Sequence, residues 1–324
     1  MNAFSRMKRW LLLVVAACVP SLLLAQGYPT RSVRVVVGYP PGGPTDLIAR
    51  QVGQKLSETM GQQFLVDNRG GSNGVIGTEA VARSQPDGYT LLFGTSSLAS
   101  NGSLYPKLPY DAAKDLSTIS LTANTPYFLV MNASLPAASV RELVALAKSK
   151  PGELTYASAG NGAGTHLAGE MFNIYAGVKM LHVPYKGTGP AVTDLVAGRI
   201  QMMFVGLPAV IQHVKSGKLK LLGVAEPKRS PLMPDSPTVA EAGVPGFESS
   251  AWFGYFGPAA MPRDLRARLA SEMTRLMQGA ELQDRILALG AVPLWSTPEQ
   301  FAEYFREEAV RYARIIREAN IKLD

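Results

Sequence analysis

Arg34-Val-Val-Val-Gly-Tyr-Pro-Pro-Gly-Gly-Pro-Thr-Asp46 decides the fold class. Its β-branched run, Val35 to Val37, reads as a buried strand. The run breaks at Pro40, Pro41, Gly42 and Gly43, and a helix pattern restarts at Thr45 and Asp46. A strand that delivers a glycine-rich turn to a helix start makes a small anion site, because free backbone N–H groups and the positive end of the helix dipole point the same way. The design recurs around residues 155–168 and 181–196. Three such turns suggest a ligand cleft; none of them looks like a catalytic apparatus.

Beyond this stretch, strand and helix alternate almost throughout. Strands are expected at 33–37, 64–67, 90–94, 127–131, 154–158, 180–184, 201–205 and 219–225. A helix places Leu47, Ile48, Val52 and Leu56 on one face and closes at Gly61; others are expected over 77–83 and 140–148, and a loop of small residues precedes the apolar run at 127. Alternation of this kind predicts parallel sheets with helices on both faces. The last 75 residues or so differ: a strand at 252–256 leads to helices at 263–279 and 281–290, then a long C-terminal helix. Thr297 caps that helix, with Pro298 at its first position and Gln300 three residues after the cap. Phe301, Tyr304, Phe305, Val310 and Ile315 recur at helical spacing and are expected to pack on a core. The chain is expected to pass between lobes near Asn124 and Thr125 and to return near Ser249 and Ser250. That gives lobe 1 as 26–124 plus 250–324 and lobe 2 as 125–249, with a hinge beneath an interlobe cleft.

Residues 1–25 have the anatomy of a secretory signal peptide: basic Arg6, Lys8 and Arg9, an apolar stretch from Leu11 to Leu24, and small Ala25 at the cleavage position. The stretch is shorter than the roughly 20 residues a spanning helix needs, and Pro20 interrupts it. The single cysteine, Cys18, follows Val15-Ala16-Ala17, similar to a lipoprotein box. The apolar residues after it are a poor tether, so release after Ala25 is the preferred reading. The mature protein is then exported to the periplasm without cysteine, which excludes disulfides and thiolate chemistry. Its formal charge falls from +7 to +4, 29 basic against 25 acidic residues, since the leader carries three basic side chains and no acidic one. The basic residues are scattered, so no nucleic-acid partner is expected. Close to 300 residues favour two lobes over one core.

The motif tests are mostly negative. Gly160-Asn-Gly-Ala-Gly164 follows a strand, yet the dinucleotide fingerprint needs glycine where Thr165 stands and an acid about 20 positions on. The remaining readings are a ligand touching the backbone, with Thr165 as helix cap, or a tight turn without ligand. Gly187-Thr-Gly-Pro-Ala-Val-Thr-Asp194 lacks the Gly-Lys-Ser/Thr ending of a phosphate loop, and its Pro190 suits a first helical position. His166 and Glu170 sit one helical turn apart without a third ligand, so no metal and no cofactor are called for; His166 reads as a structural histidine that could also donate to a ligand. No Gly-x-Ser-x-Gly elbow occurs, and neither Ser96, Ser97 nor Ser158 can be assigned a histidine and an acid by spacing. An enzyme is not expected.

Several blocks together carry a resemblance: Tyr28-Pro-Thr-Arg31, Tyr39-Pro-Pro-Gly-Gly-Pro-Thr-Asp46, Asp67-Asn-Arg-Gly70, Pro86-Asp-Gly-Tyr-Thr-Leu91 and Leu104-Tyr-Pro-Lys-Leu-Pro-Tyr-Asp111. They continue with Tyr156-Ala-Ser-Ala-Gly-Asn-Gly162, His166-Leu-Ala-Gly-Glu170, Val183-Pro-Tyr-Lys-Gly187, Asp235-Ser-Pro-Thr-Val-Ala-Glu-Ala-Gly243 and Ser296-Thr-Pro-Glu299. The mature chain resembles, end to end, the substrate-binding proteins of tripartite tricarboxylate transporters, the Bug family of periplasmic receptors. That resemblance implies a type II periplasmic-binding-protein fold, two α/β lobes closing on a small carboxylate: a di- or tricarboxylate, an acidic amino acid or an aromatic acid. It also implies delivery to a membrane permease with a large and a small subunit; the alternative is a periplasmic sensing subunit that feeds a two-component kinase, and a monomer is expected in either case. The implied carboxylate clamp maps onto Tyr39, Pro40, Gly42, Gly43, Thr45 and Asp46, facing Ser158, Ala159, Gly160, Asn161, Thr165 and His166. Residues nominated for selectivity are Thr95, Ser96, Tyr185, Lys186, Asp194, Phe204 and Leu207, and Gly187 is expected as a further ligand contact.

Overall fold

The computed structural model describes residues 27–323; the leader and Cys18 lie outside them. The chain runs β1 (Val33–Val37), α1 (Pro44–Met60), β2 (Phe64–Asn68), α2 (Val75–Ala82), β3 (Thr90–Thr95), α3 (Ser97–Leu104), α4 (Ala112–Asp115) and β4 (Leu116–Asn132). It continues with α5 (Val140–Ser149), β5 (Thr155–Ser158), α6 (Gly164–Ala176), β6 (Leu181–Pro184), α7 (Thr188–Val196), β7 (Met202–Gly206), α8 (Ile211–Lys215) and β8 (Leu219–Val224). The last third holds β9 (Ser250–Pro258), α9 (Arg263–Met277), α10 (Ala280–Ala288), β10 (Val292–Pro293) and α11 (Pro298–Glu318).

β1 pairs in parallel with β2 on one side and β3 on the other, so its valines are buried on both faces between helices. β5 pairs in parallel with β6 and β7 to make the equivalent centre of a second sheet. The two sheets share β4. Leu116 to Pro126 of that strand run antiparallel to β9, whereas Tyr127 to Met131 run antiparallel to β7 and Phe128 to Asn132 pair with β8. The result is a two-lobe α/β fold in which the wall between the sheets is one continuous strand.

The first half of β4 is where the structure departs furthest from the sequence reading. Ser117, Thr118, Ser120 and Thr122 look like loop residues but are all buried. Their hydroxyls donate to the carbonyls of Pro258, Pro298, Ser296 and Phe253, which satisfies them inside the sheet. The small residues after β3 likewise form α3 instead of a loop. The capping box of α11 is present as read, with Thr297 Oγ1 accepting from Gln300 N at 3.2 Å and Gln300 Oε1 accepting from Thr297 N at 3.0 Å. Val310, by contrast, is 68% exposed and does not pack on the core, since it falls between the buried positions Phe305, Tyr312 and Ile315 on the turn. Leu47 is also off the buried face of α1, at 37% exposure. Its neighbours Ile48, Val52 and Leu56 are fully buried.

α11 touches both halves of the molecule. Its Phe301 and Phe305 pack on Trp252 and Phe256 of β9, while Arg314 donates to the Tyr175 hydroxyl of α6 at 3.4 Å. Among the described residues no helix is long and apolar enough to cross a membrane.

Candidate functional site

Four helix starts converge on one cavity of about 730 Å³ between the sheets. Gly42, Pro44 and Thr45 bring α1 to it, Ser96 and Ser97 bring α3, Ala163, Gly164 and Thr165 bring α6, and Thr188 brings α7. Thr125 and Tyr127 of β4 and Tyr312 of α11 complete the wall. Among the described residues, none that lines it is Asp, Glu, Lys, Arg or His.

The starts of α1, α6 and α7 carry no side-chain cap; Gly43, Ala163 and Gly187 precede them. At Gly187 a φ of 106° makes glycine the suitable residue. The N–H groups of Thr45, Asp46, Gly164 and Thr165 find no acceptor in the chain among the described residues. Helix starts left bare in this way present about half a positive charge each, without a cationic side chain. Two expectations are corrected here. Thr165 is the second helical residue, and its Oγ1 accepts the Ala159 N–H at 2.9 Å, closing the loop instead of capping α6. Pro190 is the third residue of α7, because the helix already begins at Thr188.

Asp46 holds the first turn in shape. Its Oδ2 accepts from Gly42 N at 2.9 Å, and its Oδ1 from Arg50 Nε at 3.0 Å and Asn68 Nδ2 at 2.9 Å. Asn68 Nδ2 also donates to the Tyr39 carbonyl at 3.1 Å. Burial pushes the Asp46 carboxyl up, but the bonds from Arg50, Gly42 and Asn68 outweigh it and hold the group below 3.8. With the Gly42 N–H taken by Asp46, the donors left to a ligand on this side lie one turn later, at Thr45 and Asp46 N–H. Tyr39 closes the turn from the other side, its hydroxyl 2.6 Å from Ser97 Oγ and 3.1 Å from Asn73 Oδ1.

The opposite loop, 158–166, is fastened from beneath by two histidines. Ser158 Oγ lies 2.6 Å from His182 Nε2 and accepts the Gly160 N–H at 3.1 Å, while His166 Nδ1 accepts the Gly162 N–H at 3.1 Å. The two imidazoles stack at 3.7 Å, nearly parallel. Ser158 is fully buried and does not line the cavity, so this serine–histidine contact is a structural clasp. Burial, then the neighbouring His182, pushes His166 down to about 3, and burial takes His182 down to about 4. Both rings are therefore neutral in the folded protein and protonate near 6.5 once unfolded. The unfolded chain binds more protons below pH 6.5, so stability is full above that value and falls as the pH drops toward 4. His166 contributes up to about 1.4 kcal/mol per pH unit in this window, and His182, which solvent partly screens, contributes less. Urea unfolding is expected to show a stability about 2–4 kcal/mol lower at pH 5 than at pH 7 from this pair. Replacing His182 by Gln is expected to flatten that dependence, and an unchanged slope would mean the rings titrate normally.

Of the nominated residues, Tyr39, Gly42, Thr45, Thr95, Ser96, Ala159 and Thr165 line the cavity. Pro40, Gly43, Gly160 and Gly187 shape the turns that reach it without lining it, and Asn161 and Lys186 are exposed outside it. His166 is buried in the clasp. Tyr185 donates to Asp194 Oδ2 at 2.7 Å, and Arg199 pairs with Asp194 Oδ1 at 2.7 Å, a group away from the wall. Phe204 points to the opposite face of β7, packed on Phe172 and Phe247, because side chains alternate along a strand. Its neighbour Val205 lines the cavity instead, and Leu207 is buried between the lining residues Gly206 and Pro208.

Tyr127 is the residue that sequence reasoning missed. It opens an apolar run and so reads as core, yet it lines the cavity at 9% exposure. Its hydroxyl has no hydrogen bond to the chain among the described residues and lies against the first residue of α6, where a Cβ on Gly164 would collide with it. A phenol that faces the cavity beside a bare helix start is placed to donate to an acceptor bound there.

The family model described as tripartite tricarboxylate transporter family receptor matches residues 48–321. Protein BugT of Bordetella pertussis is 37% identical over 312 residues, 96% of either chain. The solved structure of R. palustris Rpa4515 with adipate superposes with a TM-score of 0.78 at 34% identity, covering 91% of this chain and 99% of that one. MatC from Rhodopseudomonas palustris with bound malate superposes with a TM-score of 0.73 at 31% identity, covering 89% of this chain and all of that one.

Proposed function

Because this chain belongs to the tripartite tricarboxylate transporter receptor family, we propose that it is an exported periplasmic receptor that captures a small carboxylate and delivers it to a membrane permease of large and small subunits. The observation that carries the ligand reading is the pair of bare helix starts, α1 and α6, on one cavity whose lining has no charged side chain. A carboxylate accepts from backbone N–H groups there, and each dipole adds about 0.3–1 kcal/mol, up to about 2 when partly buried. The solved relatives with adipate and malate support an acid as ligand. Tyr39, Thr45, Ala159, Gly164, Thr165 and Tyr127 form the proposed clamp, with Asp46, Ser158, His166 and His182 positioning its two loops.

Capture works by closure of residues 26–124 plus 250–324 on residues 125–249. The change of strand partners along β4 after Pro126 supports a hinge at this point. Asn124 Oδ1, Thr125 Oγ1 and Ser249 Oγ, at the two crossings, are buried without a hydrogen-bond partner among the described residues, as expected of segments that exchange partners on closure.

A thermal-shift panel of di- and tricarboxylates, amino acids and aromatic acids tests the ligand class. A true ligand at 100 times its Kd is expected to add about 2.7 kcal/mol of stability. No shift with any acid, against a clear shift with a neutral or cationic solute, would overturn it.

A further inference from the structure

The cavity lining is of two kinds. Near the β1–α1 turn, Tyr39, Thr95 and Ser97 hydrogen-bond to one another, with Thr95 Oγ1 2.8 Å from Ser97 Oγ. Beside these helix starts the lining is apolar, built by Leu47 in the first turn of α1, Phe253 opposite Thr95, and Leu289 on one side, and by Val205 and Pro208 on the other. The two sides meet where Gly290 packs so closely on the Pro208 ring that a Cβ would collide with it. Leu47, 37% exposed on a helix whose neighbouring apolar residues are fully buried, is an apolar side chain that folding leaves facing the cavity.

We propose that the ligand is a monocarboxylate with an apolar body, an aryl ring or an acyl chain of about six carbons. Its single anionic group sits at the helix starts, and its body lies against Leu47, Phe253, Val205, Pro208 and Leu289. This assignment rests on the carboxylate reading above and narrows it. Each methylene buried on such a wall improves affinity about fourfold. A second carboxylate carried to the same wall leaves water and finds no cationic side chain among the described lining residues to replace it.

Calorimetric titration of the purified protein with matched acids tests the proposal: hexanoate against adipate, benzoate against terephthalate, and citrate. The tightest ligand is expected to be a monocarboxylate, with its matched diacid at least tenfold weaker. If a di- or tricarboxylate binds tightest, or the matched ratio is below ten, this assignment falls and the carboxylate reading stands. If no acid binds, the carboxylate reading itself falls. Leu47→Lys supplies a cation on the apolar wall at an exposed helix position. It is expected to narrow the hexanoate-to-adipate ratio at least threefold; an unchanged ratio would overturn the placement of the body.

Discussion

Replacing Trp252 by alanine is expected to cost about 3–5 kcal/mol of folding stability, the range for removing a fully buried large aromatic. Trp252 is completely buried in β9, opposite Asn124 at the crossing between sheets. Phe301, Tyr304 and Phe305 of α11 meet its ring edge to face at 5.6–6.1 Å, so one side chain ties the C-terminal helix to the shared wall of both sheets. Its Nε1 also donates to Glu308 Oε2 at 3.2 Å. Burial pushes the Glu308 carboxyl up, with Arg311 and Trp252 opposing that, so the substitution leaves a buried acid short of a donor. Against a typical total of about 5–15 kcal/mol, such a loss brings the protein close to unfolding. Urea titration at pH 7 measures it; a loss under about 1 kcal/mol would mean that α11 is held elsewhere.

Tyr127→Phe is expected to weaken carboxylate binding by about 10–100-fold, the worth of one hydrogen bond to a charged group, while leaving stability unchanged or slightly raised. Nothing in the chain loses a partner, because the hydroxyl has none there among the described residues. Gly164→Ala is a second route to the same contact. In the native protein its Cβ meets the Tyr127 hydroxyl, whereas the ring carbons behind lie at 3.4 and 3.5 Å, an ordinary contact. Gly164→Ala should therefore reduce affinity about tenfold on its own and cost nothing further in the Tyr127→Phe background. Additive losses in the double variant would show that glycine matters for a reason other than Tyr127.

Much of the fold is legible because glycine and proline punctuate it. Gly42, with φ near +87°, and Gly43 before Pro44 mark a turn onto a helix whatever the rest of the chain does. The parallel strands announce themselves as apolar runs for the same reason they are buried on both faces. The first half of β4 was not legible, since its serines and threonines are buried only by virtue of carbonyls supplied 131 to 180 residues away. In the site, period-two alternation decides between Phe204 and Val205, and the sequence alone does not say which face looks inward. The Ser158–His182 clasp joins residues on adjacent parallel strands, and Asp46 reads as a ligand contact until Gly42, Arg50 and Asn68 are seen to surround it. Tyr127 was hidden by its place in an apolar run; a tyrosine opening that run just after the crossing at residue 125 was the one available signal.

Recognition of a carboxylate by helix starts is tested most directly by comparing an acid with its own amide, which keeps shape and apolar surface and removes the charge. Calorimetric titration of benzoate against benzamide, or hexanoate against hexanamide, supplies the pair. Helix-start recognition predicts that the acid binds and that its amide binds at least about 30-fold weaker, since charge-assisted bonds to bare N–H groups are about twice as strong as neutral ones. An amide that binds within threefold of its acid would contradict it.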